Sequence, residues 1–157
     1  MKATGALLCS TVLAIGGALA ADQSADRAIG RQLDQLKYTY EVDADGDYKL
    51  VFDTEDGRTQ LIFVRSNVET FGAHHVREIW SPAYRARGAQ FPAPVANRLL
   101  EASNESKLGS WVKQGDTAMF VVKLDADASV QSLSDALDAA LRTADAMERE
   151  LTSEDEF

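Results

Sequence analysis

Hydrophobic and polar positions alternate through residues 38–65, and this alternation predicts three antiparallel strands. The three runs, YTYEV, DYKLVFD and TQLIFVR, are rich in aromatic and β-branched residues. Asp45-Gly46 and Asp56-Gly57 separate them, and Asp-Gly is the strongest short hairpin signal. We therefore expect a β-meander near the start of the fold.

The register of the first hairpin follows from keeping like side chains on the same face. A loop of residues 44–46 places Val42 opposite Tyr48 and Glu41 opposite Lys49. A shorter loop would place Val42 opposite Lys49, with apolar and charged side chains mixed on one face. Because a one-residue slip moves every side chain to the other face, the longer loop is favoured.

The second hairpin is expected to have a two-residue loop, Asp56-Gly57. Leu50 then lies opposite Phe63, and Phe52 lies opposite Leu61. This register leaves an opposite face that carries Val51, Ile62 and Val64. Such a face is too apolar to be fully solvated, so we expect a helix or another chain to cover part of it.

Three further segments have apolar residues at helical spacing. Residues 25–36 form the first predicted helix, with Ser24 or Asp22 as its cap. The second predicted helix runs from the prolines at 92 and 94 to about residue 103, and the third, capped by Asp127 or Ser129, ends near residue 151.

The remaining strands are weaker predictions. Residues 66–75 are predicted as a loop, and residues 76–84 as an extended segment that Pro82 confines to an edge or a strand end. Residues 108–124 predict a hairpin that places Trp111 opposite Phe120. The order α-βββ-β-α-ββ-α predicts an α+β fold, with an antiparallel sheet of about five to six strands flanked by three helices.

Residues 1–20 have the pattern of a secretory signal peptide. A positive start is followed by an apolar run over residues 6–15, and Ala18-Leu19-Ala20 supplies the small residues that signal peptidase reads. We expect cleavage after Ala20 and a periplasmic or secreted protein. The apolar run is shorter than the roughly 20 residues that a bilayer core requires, so no stable membrane anchor is expected after cleavage.

The predicted organisation is a signal peptide (1–20), a single α+β domain (21–152) and an acidic tail (153–157), which we expect to be frayed. Cys9 is the only cysteine and lies in the predicted signal, so the mature domain is expected to contain no disulfide or thiol nucleophile. The net charge of −9 disfavours binding to nucleic acid or anionic lipid and favours solubility or a basic partner.

Several segments, in this order along the chain, resemble the YbjN-domain family. They are DGDYKLVFDTEDGRTQLIFV, VREIWSPAY, PAPVANRLLEASNESKLGSW and FVVKLDADAS, followed by the closing helix. The resemblance covers nearly the whole mature chain and implies a Tir-chaperone or type III secretion chaperone-like fold. It also implies a protein-binding, chaperone-like module, and it supplies no catalytic residues.

An acidic turn is the first candidate site. Asp43, Asp45 and Asp47 alternate as at the start of an EF-hand calcium loop. Tyr48, however, occupies the required glycine position, and Thr54 occupies the position of the closing acid. We interpret these residues as a hairpin turn that is acidic.

A histidine pair is the second candidate. His74, His75 and Glu78 are of the types that bind zinc, but adjacent strand residues point to opposite faces, so both histidines would ligate only from a loop. A solvated pair is the simpler interpretation, and no metal or cofactor is predicted. The same histidines with Ser81 or Ser66 would suggest a hydrolase, but the chain has no GxSxG motif.

A protein-binding surface is the third candidate. Trp80 is followed by Ser81-Pro82, and nearby arginines at 77, 85 and 87 form a local basic patch in the sequence. Trp111 is expected to be buried beside Phe120. The predicted interaction surface comprises Val51, Ile62, Val64, Arg77, Trp80 and Tyr84.

Three functions remain open at the level of sequence. The leading prediction is a noncatalytic exported protein-interaction module, chaperone-like or regulatory, that binds a protein partner or a second copy of itself. One alternative is a metal or small-ligand sensor that uses His74, His75 and Glu78. The other is an unrecognised hydrolase.

Overall fold

A computed structural model describes residues 24–157 as a six-stranded antiparallel sheet with three helices on one face. The elements in chain order are α1 (Arg27–Leu36), β1 (Glu41–Val42), β2 (Tyr48–Asp53), β3 (Thr59–Phe71), β4 (His74–Arg85), α2 (Ala93–Glu105), β5 (Ser110–Gln114), β6 (Thr117–Asp125) and α3 (Val130–Leu151). The predicted α+β class and element order are confirmed. The predicted signal peptide lies outside the described residues.

The strands lie in the order β1-β2-β3-β4-β6-β5. The first hairpin has the predicted register, with Val42 opposite Tyr48 and Glu41 opposite Lys49. The last hairpin also has its predicted register, with Trp111 opposite Phe120.

The register predicted for the β2–β3 hairpin is wrong by one residue. Leu50 lies opposite Ile62, and Phe52 lies opposite Gln60. The connection is longer than two residues, because the pairing ends at Asp53 and Thr59 and a short 3₁₀ turn spans Glu55–Gly57. Ile62 and Val64 therefore belong to the face that the helices cover.

β3 and β4 extend through the segment that was predicted as a loop. They pair as far as Phe71 and His74, and Gly72 occupies the turn with a φ of 59°, a backbone conformation that glycine adopts without strain. Extended hairpin pairing explains how residues 66–75 form strand despite their polar composition.

Pro82 lies three residues before the end of β4, which has neighbouring strands on both sides, so of the two predicted positions, an edge or a strand end, the edge is excluded. The β3–β4 pairing ends at Trp80, and the β4–β6 pairing shifts register between Pro82 and Tyr84. Side-chain hydrogen bonds replace the backbone hydrogen bonds that β3 and β4 lack beyond Trp80. Gln60 Nε2 donates to the Pro82 carbonyl, and Ser81 Oγ donates to the Leu61 carbonyl. A bulge with side-chain hydrogen bonds thus accommodates the proline.

The hydrophobic core lies between the sheet and the helices. α3 contributes the largest apolar stripe and contacts β3, β4 and β6. Buried core residues include Leu50, Ile62, Val64, Ile79, Phe120, Val122, Leu133 and Leu137. No helix within residues 24–157 is long and apolar enough to cross a membrane.

α1 packs closely against the sheet through a glycine. Asp26, rather than Ser24 or Asp22, caps the helix, and its carboxylate accepts the N–H of Ala28. A Cβ placed on Gly30 would lie 2.9 Å from the hydroxyl of Tyr48. The glycine that weakens the helical pattern is therefore required for close contact between α1 and β2.

The C-terminal tail, residues 153–157, docks onto the domain instead of fraying. The backbone N–H groups of Glu156 and Phe157 donate to the Glu148 carboxylate on α3. Arg85 also pairs with Glu156 at 2.6 Å. The tail is acidic, as predicted, and these contacts hold it in place.

Candidate functional site

One face of the sheet carries no helix, and we call it the open face. Paired residues on neighbouring strands point to this side, as at Val51 and Leu61, Phe63 and Trp80, and Trp80 and Val121. The open face comprises Lys49, Val51, Leu61, Phe63, Arg65, Glu78, Trp80, Pro82, Val112, Met119, Val121 and Lys123. None of these residues belongs to the core cluster under the helices.

The open face is apolar at its centre and charged towards its ends. Met119 and Val121 are buried although no helix covers them, because large neighbours on the same face surround them. Val51 is 56% exposed. An apolar centre with a polar surround is typical of a surface that binds another chain.

A cleft of about 250 Å³ opens on this face, and we call it the acidic cleft. It is lined by Asp43, Asp45, Asp47, Phe63, Arg65, Trp80, Gln114 and Met119. The turn between β1 and β2 supplies its three carboxylates. β3, β4 and β6 supply an apolar floor of two aromatic rings and a methionine.

Arg65 already occupies part of the acidic cleft. Its guanidinium lies 5.0 Å from the centre of the Trp80 ring, and its Nε lies 2.5 Å from the Asp47 carboxylate. A cation over an indole face is attracted by the negative charge of the π-system. Trp80 is held in turn by its own N–H, which donates to Glu78 at 2.8 Å.

The acidic turn is built around a buried carboxylate. Asp47 is 4% exposed and accepts the backbone N–H of Ser66 at 2.7 Å. Burial raises the pKa of the Asp47 carboxyl, and the hydrogen bond from Ser66 and the charge of Arg65 oppose this effect. Asp43 closes the turn, since its Oδ1 accepts the N–H groups of Asp45 and Asp47. The carboxylate of Asp45 is exposed and has no hydrogen bond or ion pair within residues 24–157.

The predicted interaction surface divides between the two faces of the sheet. Val51 and Trp80 lie on the open face, as an interaction surface requires. Ile62 and Val64 are fully buried under the helices, because the β2–β3 register differs from the predicted one. These two residues cannot contribute to a surface.

Arg77 and Tyr84 also lie on the helical side. Arg77 is buried and pairs with Asp26 at 2.6 Å, which fastens the start of α1 to the sheet. Tyr84 packs edge-to-face against Phe91, with ring centres 5.7 Å apart. Arg85 is paired to the tail, and Arg87 lines the same depression as Arg85 and Glu154, so the three arginines do not form the basic patch expected around Trp80.

Leu61 and Phe63 were missed as surface residues. β3 contains four consecutive apolar residues, Leu61-Ile62-Phe63-Val64, so alternation alone cannot select the buried pair. Gln60 favours the wrong choice, because a polar residue is expected on the solvent-exposed face. In the structure, Gln60 is fully buried and its amide bonds to Ser81 and Pro82.

The histidine pair lies at the exposed tip of the β3–β4 hairpin. His74 and His75 are adjacent strand residues, so their side chains point to opposite faces. Glu78 pairs with Lys123 at 3.0 Å and accepts from Trp80. The part of the chain from Ser24 onward contains no group of three or more His, Cys, Asp or Glu residues arranged to hold a metal ion.

The candidate serines have structural partners. Ser81 is fully buried and donates to the Leu61 carbonyl. Ser66 donates to the Gly46 carbonyl and accepts the N–H of Asp26. Within residues 24–157, neither hydroxyl is hydrogen-bonded to a histidine.

An apolar groove of about 210 Å³ lies on the helical side, and we call it the α2 groove. It is lined by Phe91, Ala96, Leu99, Leu100, Trp111, Val112 and Lys113. Leu100 is 67% exposed at its rim. The α2 groove is therefore a second apolar surface that could bind a partner, and it serves as the comparison for the open face.

Comparisons with protein-family models, with curated proteins and with solved structures found no match. The resemblance to the YbjN-domain family therefore stays a prediction.

Proposed function

We propose that this chain is a noncatalytic, exported protein-interaction module that binds a protein partner through its open face. The observation that carries the proposal is the placement of all three helices on one side of the sheet, which leaves Val51, Leu61, Phe63 and Trp80 without a covering layer. Val51 is exposed, and Leu61, Phe63 and Trp80 are partly exposed. Contiguous accessible apolar surface of this kind is characteristic of binding sites.

The composition of the open face supports a protein as the ligand. Trp, Phe and Met are enriched at the centres of protein interfaces. The two aromatic residues bury a large area with few rotatable bonds, and the flexible methionine adapts to the shape of a partner. Trp80, Phe63 and Met119 meet at the centre of this face. A chaperone-like or regulatory role, as the family resemblance implies, fits a surface of this kind.

The alternatives receive less support from the geometry. A sensor that uses His74, His75 and Glu78 would require the carboxylate of Glu78, which is paired with Lys123. A hydrolase would require an available nucleophile, whereas Ser81 and Ser66 are hydrogen-bonded within the fold.

The proposal is tested by comparing two charged variants in an affinity capture. Val51→Glu with Leu61→Glu places charge on the open face, and Leu100→Glu places charge at the α2 groove. Proteins from a periplasmic or secreted fraction are captured on immobilised wild type and on both variants, and circular dichroism checks each fold.

We expect at least one protein to bind wild type and Leu100→Glu but not the open-face variant. Light scattering on the same samples identifies a second copy of the chain as the occupant if the mass falls with the open-face variant. Equal capture by all three proteins, or loss only with Leu100→Glu, would show that the open face is not the binding surface.

A further inference from the structure

We infer that the partner bound at the open face presents a basic side chain, arginine or lysine, to the acidic cleft. This inference rests on the proposed function and adds the chemistry of the partner. It commits to a basic protein segment, and a neutral or acidic segment becomes an outcome of the test.

The charge of the acidic cleft is the first argument. Asp43, Asp45 and Asp47 line it, and Arg65 is the one cation among its lining residues. That guanidinium is paired with Asp47. Lys49, the nearest open-face lysine along β2, pairs with Glu41 at the sheet edge. Asp43 and Asp45 therefore remain without a cationic partner in the described part of the chain.

The floor of the cleft is the second argument. Phe63, Trp80 and Met119 provide apolar surface directly beside the carboxylates. Arginine and lysine have apolar stems and charged ends, so one side chain can contact both surfaces. An acidic side chain would be repelled by the carboxylates of the cleft. A purely apolar side chain would contact the floor but would desolvate the carboxylates without pairing with them.

Arg65 shows within the same cleft how a cation is held there. Its guanidinium stacks over Trp80 at 5.0 Å while contacting Asp47. Because Arg65 occupies Trp80 and Asp47, a partner's cation would bind by the same two kinds of interaction at the remaining groups of the cleft, with Phe63 as the aromatic surface and Asp45 as the carboxylate. The overall charge of −9 would also attract a basic segment from a distance.

The test uses three short fluorescent peptides in which leucine alternates with arginine, glutamine or glutamate. Fluorescence anisotropy measures their affinities for the full protein. We expect the arginine peptide to bind most tightly and to shift the indole N–H resonance of Trp80. Asp45→Lys should weaken its binding on the order of tenfold, because a like charge then faces the peptide.

Asp127→Lys is the matched control. Asp127 is also an exposed turn aspartate, and it lies in the β6–α3 connection, away from the cleft. Both substitutions change the net charge equally, so a contribution from overall acidity would affect them alike. We expect Asp127→Lys to leave the affinity within about twofold of wild type.

Several outcomes overturn the inference. Equal affinity for the arginine and glutamine peptides would mean that the face binds without selecting charge, and the proposed function would stand alone. Equal weakening by Asp45→Lys and Asp127→Lys would assign the effect to net charge. Failure of the arginine peptide to bind wild type would also refute the basic-segment inference, whereas the proposed function is decided by the capture experiment.

Discussion

The guanidinium of Arg58 lies 2.9 Å from the fully buried carboxylate of Glu148. Arg58 also pairs with Asp145 and donates to the carbonyl of Glu154. Because Glu148 accepts two N–H groups from the tail, this pair joins the start of β3, the end of α3 and the C-terminal tail. The tail is acidic, and the arginine holds it against a domain that is itself acidic.

Arg58→Met should lower the free energy of unfolding by about 3–5 kcal/mol, because it leaves a buried carboxylate without its cation. Arg142→Met is the control, since Arg142 pairs with Asp138 on the exposed side of α3 and should cost less than about 1 kcal/mol. Urea unfolding measures both. Similar costs for the two variants would show that the Arg58 network contributes no more than a surface pair.

Glu148 should make wild type gain stability relative to Glu148→Gln as the pH falls from neutral. Burial raises the pKa of this carboxyl, against the charge of Arg58 and the tail N–H groups. A carboxyl whose pKa is higher in the folded than in the unfolded state takes up its proton preferentially in the folded state. Its contribution to stability therefore rises as the pH falls through the folded-state pKa towards the ordinary glutamate value, and it is lost as the pH increases.

Unfolding free energies of wild type and Glu148→Gln, measured at a series of pH values, test this sign. Glutamine does not titrate, so the difference between the two proteins isolates the carboxyl at position 148. If wild type instead loses stability relative to Glu148→Gln as the pH falls, the pairing with Arg58 lowers the pKa of Glu148 by more than burial raises it.

Ile62→Ala should destabilise the domain by about 2–5 kcal/mol, because the side chain is fully buried against the helices. Val51→Ala should cost less than about 1 kcal/mol, because Val51 is largely exposed on the open face. Denaturant midpoints of the two variants compare the faces directly. A greater cost at Val51 than at Ile62 would favour the register predicted from the loop sequence.

Gly30→Ala should destabilise the domain by roughly 1–3 kcal/mol, although alanine is the better helix former. The added methyl group would lie 2.9 Å from the Tyr48 hydroxyl, which donates to the Asp26 carbonyl. The same substitution in a Tyr48→Phe background should cost less, because the crowded oxygen is absent. A thermal double-mutant cycle without coupling would assign the cost to another contact.

The sequence alone predicted the fold class, the element order and the registers of two of the four hairpins. These features depend on local signals: apolar spacing at period two or near four, Asp-Gly turns, and prolines at the start of α2. In the first hairpin, Glu41 and Lys49 share one face while Val42 and Tyr48 share the other, so a slipped register would mix them.

The tertiary structure alone decided which face of β3 is buried. Its four consecutive apolar residues fit either register, and a polar residue, Gln60, enters the core with its amide NH2 group donating to the Ser81 hydroxyl and the Pro82 carbonyl. The energy that selects the register comes from α3 and from contacts between strands distant in sequence, which local alternation does not report.

The candidate site also depends on which face of β3 is buried. Trp80 and the acidic turn are visible in the sequence, but their meeting with Phe63 and Met119 in one cleft requires the pairing of β3, β4 and β6. The Asp43–Asp47 turn is set by local hydrogen bonds and could be predicted. Its place beside an uncovered sheet face could not, because the packing of all three helices on the opposite side is a property of the whole chain.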